Sequence, residues 1–455
     1  MFQNEFEKGD FSFIFIKEEP GENTIEDIKN FITNKKAFFF SALEFGKQNN
    51  INRLYKEMNM FFETKDTSKK EVTLEETCDY IVSNAKNRMI WIIDGIEEVI
   101  DDNDFSEIEK MLKSLKSTNN MIILISHSAS FANKFEKSKL TKYLINKELN
   151  NRKSFFALQQ EENLSAEDKF KYYAILGTKK EYIGKVDYTK SLKTNIINGF
   201  LNKNGFFYFE PRKILKKELR ETQIYNIILE AVAKGASTLN DISEYVCMPT
   251  SICNKYITVM ISLGIIEKIK PAFGKDTRKS RYKISNPVMN FWYYFVPDNI
   301  SDISLNKGDK VFEEKIEKNM DSYLENKFPD LCRDYINKLK NEDKIKVDIK
   351  ENNVWWNKDE TIDIIAGSGL EAIVADCFWN KENVGVEDFN NLEKKAKDVD
   401  VIERDYYLFS KNGFSKELLE LEKVRDDLKL ICFSDMVSNS FVKPKKIGFF
   451  FSKNK

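Results

Sequence analysis

Histidine is almost missing from this chain, since His127 is the only one in 455 residues. The six cysteines, Cys78, Cys247, Cys253, Cys332, Cys377 and Cys432, never form a Cys-x-x-Cys pair, so the ligands of a zinc site are lacking. Scattered thiols of this kind suit small core positions in a reducing compartment. Proline and glycine are scarce, at 8 and 17, which argues against long disordered linkers. No apolar run approaches the ~18 residues of a membrane span, and Met1-Phe2-Gln3-Asn4-Glu5 lacks the basic and apolar stretches of a signal peptide. The expectation is a cytoplasmic protein without a membrane partner. What remains is ample for packing: 42% hydrophobic and 13% aromatic residues over a length that suggests about three domains.

The clearest stretch is 215–296. Ile224, Ile227, Ile228, Ala231 and Val232 form one helical stripe, ended by Gly235. Thr238 and Asp241 have the spacing of a capping box and open a second helix. A third, 250–263, is expected to bury Ile252, Tyr256, Met260 and Leu263 and to expose Ser251, Asn254, Lys255 and Thr258. Two short strands around a basic turn follow, at 265–270 and 281–284. Three helices and a basic hairpin predict a winged helix-turn-helix. Residues 215–285 hold twelve Lys plus Arg against seven Asp plus Glu in a chain of net charge −1, a contrast that suits a phosphate-facing surface. Double-stranded DNA is therefore the expected partner, read by Ser251, Asn254, Lys255 and Thr258, with Arg278, Lys279 and Arg281 along flanking phosphates. The alternative is a joint or protein-binding module, with a protein partner or a second copy of the chain left open.

Upstream, apolar strands at 11–16, 37–41, 89–94 and 121–125 alternate with helical segments, which predicts a parallel sheet covered on both faces. A helical pattern dominates 165–201. The aromatic run Phe291-Trp292-Tyr293-Tyr294-Phe295 has the spacing of domain core. Strands at 361–366, 372–378, 406–410 and 430–433, with a helix at 414–425, make the remainder α/β.

This order of parts resembles the archaeal-type ATPases of the AAA+ superfamily, also found in bacteria. The resemblance runs through Tyr172-Tyr173-Ala174-Ile175-Leu176-Gly177, Leu215-Lys216-Lys217-Glu218-Leu219-Arg220-Glu221, Leu263-Gly264-Ile265-Ile266-Glu267, Asn290-Phe291-Trp292-Tyr293 and Tyr407-Leu408-Phe409-Ser410-Lys411-Asn412-Gly413-Phe414. It implies a multidomain α/β chain with four parts: a P-loop-like domain over 1–152, a helical lid over 153–214, the winged helix over 215–296, and a C-terminal domain over 297–455 similar to PD-(D/E)xK restriction endonucleases.

Both catalytic signatures depart from that family. A phosphate-binding loop needs Gly-x4-Gly-Lys-Ser/Thr. Here Ile16 takes the first glycine position and Glu22 the lysine position, so that only Gly21 and Thr24 fit. Each misplaced charge costs roughly 4 kcal/mol against a phosphate charge at ~4 Å and an effective dielectric of ~20. Asp94 ends a strand like a magnesium-orienting aspartate, but Gly95 follows where the catalytic acid should be. His127 is read as a surface or hydrogen-bonded imidazole rather than a catalyst. In the C-terminal part Asp363 and Asp376 match the two strand acids, Asp330 stands for an upstream helix acid, and Phe378 takes the lysine position. The expectation is a DNA-binding chain that has lost ATP hydrolysis and DNA cleavage and needs no cofactor. Two alternatives stay open: a weak Mg-ATP-binding ATPase acting on DNA, and an interaction scaffold that regulates an active relative.

Overall fold

The computed structural model describes residues 2–18, 24–64, 71–145, 155–157, 164–273 and 280–437. The chain forms two compact units. One comprises Met1–Ser154, Ile175–Ile269 and Arg281–Phe312, and the other Phe155–Ala174, Lys270–Ser280 and Glu313–Lys455. The segment expected as one lid, 153–214, is thus divided between them. The cause is aromatic burial: Phe170 lies 4.8 Å from Trp379 and 5.8 Å from Phe433, ring centre to ring centre, inside the second unit.

In the first unit, β1 (Ser12–Lys17), β2 (Ala37–Ser41), β3 (Ile90–Asp94) and β4 (Met121–Ser126) form a parallel sheet in the order β1-β4-β3-β2. Every residue of β3 and β4 is buried, as their unbroken apolar sequences require. The two-residue period of the strands sends Phe13, Phe15, Trp91, Ile122 and Leu124 into one core and Ile14, Ile16, Ile92, Ile123 and Ile125 into another. The first core is closed by α2 (Lys47–Phe61), α3 (Leu74–Asn84), α4 (Phe105–Leu115) and α5 (Ala129–Glu136), and the second by Ile28 and Phe31 of α1 (Thr24–Ile32). At α3, Thr73 and Glu76 make a reciprocal capping box, of a kind worth ~1 kcal/mol.

Farther along the same unit, α6 (Glu210–Glu218), α7 (Gln223–Ala233), α8 (Leu239–Tyr245) and α9 (Thr250–Ser262) precede an antiparallel pair, β5 (Ile266–Ile269) and β6 (Arg281–Ile284). Thr238 and Asp241 cap α8 reciprocally. The buried stripe of α9 shares Met260 with the expected one and otherwise differs from it. Cys253, Ile257 and Met260 face the core, Ile252 is 41% exposed, and Tyr256 and Leu263 are only half-buried. The small Cys253 gives a closer approach than Ile252 would, and Tyr256 packs edge-on against Tyr225 at the margin. α10 (Pro287–Phe295) buries Phe291, Tyr293 and Phe295, so the aromatic run is core.

The second unit is built on α11 (Phe328–Asn341), β7 (Glu351–Trp356), β8 (Thr361–Gly367), β9 (Glu371–Phe378), α12 (Val386–Ala396), β10 (Glu403–Ser410), α13 (Lys416–Val424) and β11 (Leu428–Cys432). Its sheet runs β11-β10-β9-β8-β7. β8 is antiparallel to both of its neighbours, β7 and β9, while β9, β10 and β11 are parallel, each parallel step made through a helix. The outer edge of β7 is covered within the unit by residues 270–273. Ala272 N donates to Val354 O at 2.9 Å, Phe273 N to Glu351 Oε2 at 2.8 Å, and Asn353 Nδ2 to Lys270 O at 3.1 Å.

Candidate functional site

Open α/β sheets take ligands beyond the carboxyl ends of their strands. In the first unit that edge carries His127, the residue after β4. Because β4 lies between β1 and β3, a side chain leaving its end can reach both neighbours. His127 Nε2 lies 2.7 Å from Asp94 Oδ1 at the end of β3, and Nδ1 lies 2.8 Å from Glu18 Oε2 just past β1. The other carboxylate oxygens are also engaged: Ser41 Oγ donates to Asp94 Oδ2 at 2.8 Å, and Thr24 N to Glu18 Oε1 at 2.7 Å. Carboxylates only accept, so a ring nitrogen facing each of them carries a hydrogen and the ring is an imidazolium. Its pKa is pushed up to about 10, first by Asp94 and then by Glu18. Burial, the largest single influence, pushes both carboxyls up, but the bond and charge of His127 together with Thr24 at Glu18, and with Ser41 and the Gly95 backbone at Asp94, outweigh it, and both end below their ordinary values.

On the Asp94 side of this bridge is a cavity of about 510 Å³ whose lining includes Glu44, Glu97, Glu98, His127, Lys134 and Lys217. Gly95, with φ +72°, holds the turn after β3 in a left-handed conformation, and a Cβ there would meet the Ala42 Cβ at 3.4 Å. That turn carries Glu97, whose Oε1 accepts from His127 N at 2.8 Å while Oε2 is buried without a partner. Glu98 is held above its ordinary value by burial, then by Glu97 and Glu44. Of the expected nucleotide residues, Thr24 and Asp94 therefore both belong to the histidine bridge, and Gly21 lies outside the described residues, as does Glu22. His127, set aside on sequence grounds, is the centre of the arrangement.

In the second unit, Asp363 of β8 and Asp376 of β9 come from adjacent strands, and Asp363 N donates to Asp376 Oδ1 at 3.3 Å. Cys377 N donates to Asp363 Oδ2 at 2.8 Å. Burial, then Asp376, raises the Asp363 carboxyl to about 6. Asp376 is also raised by burial, partly offset by Lys395. Phe378 occupies the strand position and packs against the core, and a lysine that the sequence does not single out, Lys395 of α12, reaches back to bond Asp376 Oδ2 and Thr361 O. Asp330 is separate in role: it pairs with Arg333, whose Nη1 donates to Asp363 O at 2.9 Å. Among the described residues no three His, Cys, Asp or Glu side chains are grouped as metal ligands.

The outer face of α9 carries Ser251, Asn254, Lys255 and Thr258, all exposed. Thr258 Oγ1 turns back to Asn254 O at 2.7 Å, which leaves Ser251, Asn254 and Lys255 as the outward polar groups. The carboxyl end of α9 is held by Asn133 of α5, which donates to Ser262 O. Arg281, at the start of β6, is half-buried, whereas Arg278 and Lys279 lie outside the described residues.

Fold and sites together define a class: a multidomain α/β chain with a parallel sheet and helices. A family described as archaeal and bacterial proteins of unknown function, DUF234, matches residues 292–397, a stretch that contains Asp330, Asp363, Asp376 and Lys395. An uncharacterized protein of Methanocaldococcus jannaschii, MJECL04, is 27% identical over 222 residues, covering 47% of this chain and 50% of that protein. The chain thus spans about half the length of that relative. The Aeropyrum pernix ORC1 protein, solved in complex with DNA, superposes with TM-score 0.29 at 9% identity over 64% of this chain and 88% of that one. Drosophila ORC bound to DNA gives 0.26 at 9% identity, over 65% and 84%. Scores this low do not establish a shared overall fold. No helix among the described residues is long and apolar enough to cross a membrane.

Proposed function

We propose that this chain is a double-stranded-DNA-binding protein of ATPase and nuclease ancestry that works without hydrolysing ATP or cutting DNA. The observation that carries the reading is α9. Its inner face is buried through Cys253, Ile257 and Met260, while Ser251, Asn254 and Lys255 stand outward on its amino-terminal half, the half that a helix-turn-helix sets against base edges. With β5 and β6 behind it the segment has the parts of a winged helix. In anisotropy titrations against duplex DNA, replacing Arg278, Lys279 and Arg281 together by alanine should weaken binding to every sequence and lower the log-log salt slope by ~1 for each phosphate no longer neutralised. Asn254→Ala should instead change sequence preference. Equal affinities and slopes for wild type and the triple variant would remove the wing from the proposal.

A second reading, a structural joint in an interaction scaffold, is favoured by residues 270–273. Ala272 is 1% exposed and lies in the second unit's core beside Val374 and Leu408. If duplex binding is absent at low salt, this reading leads.

A further inference from the structure

The resemblance to ATPases implies a nucleotide with its magnesium at the edge of the first unit's sheet, and the residues there do not fit one. A divalent ion bridging two carboxylates needs the space between them open, with water completing about six oxygens, and here that space holds the His127 ring. Each of the four oxygens of Glu18 and Asp94 already has a donor within 2.8 Å, two of them on one imidazole. Beyond the bridge, Glu44, Glu97 and Glu98 line the same cavity. Among the described residues, a polyphosphate entering it would meet Lys134 and Lys217 but more carboxylates, those of Glu44, Asp94, Glu97, Glu98, Asp101 and Asp102.

We propose that the His127 side chain is a resident cation standing in the place of a divalent ion, and that Glu18 and Asp94 become a divalent-cation site only when the imidazole is removed. The geometry accounts for this in three steps. The end of β4 places one ring between the ends of β1 and β3, as the strand order demands. The ring supplies one positive charge and two directed N–H groups, which balances half of the charge on two carboxylates that would otherwise repel each other. The residue is also held from outside: Glu97 accepts from its backbone N–H, and Lys217 Nζ donates to its carbonyl at 3.4 Å. With its ring bonded at both nitrogens and its backbone held at N–H and carbonyl, the residue is expected to keep its place against a hydrated ion at millimolar concentration.

The inference is independent of DNA binding. Its test is calorimetric titration of the full chain with MnCl2, comparing wild type, His127→Ala, and His127→Ala combined with Asp94→Asn. Wild type should show no saturable binding at millimolar Mn2+. His127→Ala should bind at least ~10-fold more tightly, since a positive charge ~4 Å from both carboxylates has been removed. The double variant should return to the wild-type result. Should His127→Ala fail to fold, His127→Gln, close in size and uncharged, takes its place with the same expectation. Wild type binding Mn2+ as tightly as the variants would overturn the proposal, as would neither variant gaining affinity. Saturable Mg-ATP binding by wild type that is abolished in Asp94→Asn would overturn it as well.

Discussion

Replacing Lys395 by methionine is expected to destabilise the second unit by about 3 kcal/mol near neutral pH, the lower end of the range for breaking a buried ion pair from one side. The Lys395 and Asp376 side chains are only 16% and 10% exposed, so solvent screening removes little of the effect. Methionine keeps the length of the stem and loses the ammonium, which leaves Asp376 beside Asp363 with no cation on its Oδ2. A second change, Asp376→Asn, should recover most of the loss, because an amide in that place needs no counter-charge. The pH dependence has a definite sign. Asp363 has a folded pKa of about 6 against an ordinary 3.8, so its contribution is full below 3.8 and lost as pH rises through about 6. Without the ammonium both carboxyls rise further, and the deficit of Lys395→Met should be smaller at pH 5 than at pH 8. A chain of two units is not expected to unfold in one step. The measurement is therefore urea unfolding followed by a hydrogen-exchange pulse, read on peptides spanning β8 and β9. An unchanged midpoint for those peptides would show that the pair contributes nothing. The same protein tests cleavage: DNA cut by wild type with Mn2+ and left intact by Lys395→Met would make Lys395 a catalytic group.

That lysine shows where the sequence stops being readable. Asp363 and Asp376 are visible because each sits on an apolar strand whose two-residue period names its faces. Lys395 is nineteen positions beyond Asp376 on a helix where the neighbouring residue is also a lysine, and only the crossing of α12 over the sheet selects it. β3 and β4 are legible as unbroken apolar runs. β7 escapes a pattern search, because Glu351-Asn352-Asn353 begins it, and an edge strand bulged between Asn353 and Trp355 needs no alternating pattern. The exposed side of α9 follows from the periodicity while its buried stripe does not, since a count of apolar residues weighs Ile252 above the smaller Cys253. The tie between 270–273 and β7 is made largely by backbone groups and leaves no mark on composition. His127 stands out in the sequence for its rarity and its position after a strand. What gives it a role is the strand order β1-β4-β3, which no count of residues supplies; given that order, an acid at the end of one flanking strand and another just past the other are the signal.

Because His127 is the only histidine, its protonation can be followed without assignment ambiguity, and a chain labelled at histidine ring carbons should show a single imidazole that stays charged from pH 6 to pH 8 and titrates near 10. An ordinary imidazole would change over in the middle of that range, near 6.5. The groups facing the residue are Asp94 and Glu18 at the ring, Glu97 at its N–H and Lys217 at its carbonyl; the three acids outweigh the one amine. The stability consequence follows by linkage. A raised histidine pKa contributes fully below its unfolded value of 6.5 and loses that contribution as pH climbs through about 10. The depressed carboxyls of Glu18 and Asp94 contribute above their unfolded values, 4.5 and 3.8, and lose their part on acidification. The first unit should therefore be most stable between about pH 4.5 and 6.5 and decline on both sides. With the imidazole 29% exposed, solvent screening reduces the expected alkaline loss to about 1–2 kcal/mol, between the surface and buried limits for ion pairs. Urea unfolding equilibrated at each pH and pulse-labelled at one fixed pH, read on peptides of β1 and β3, measures it. His127→Gln should lack the decline between pH 6.5 and 10. An imidazole that titrates near 6.5 in the folded chain, or a glutamine variant that keeps the alkaline limb, would mean that the ring does not carry the charge the two carboxylates require.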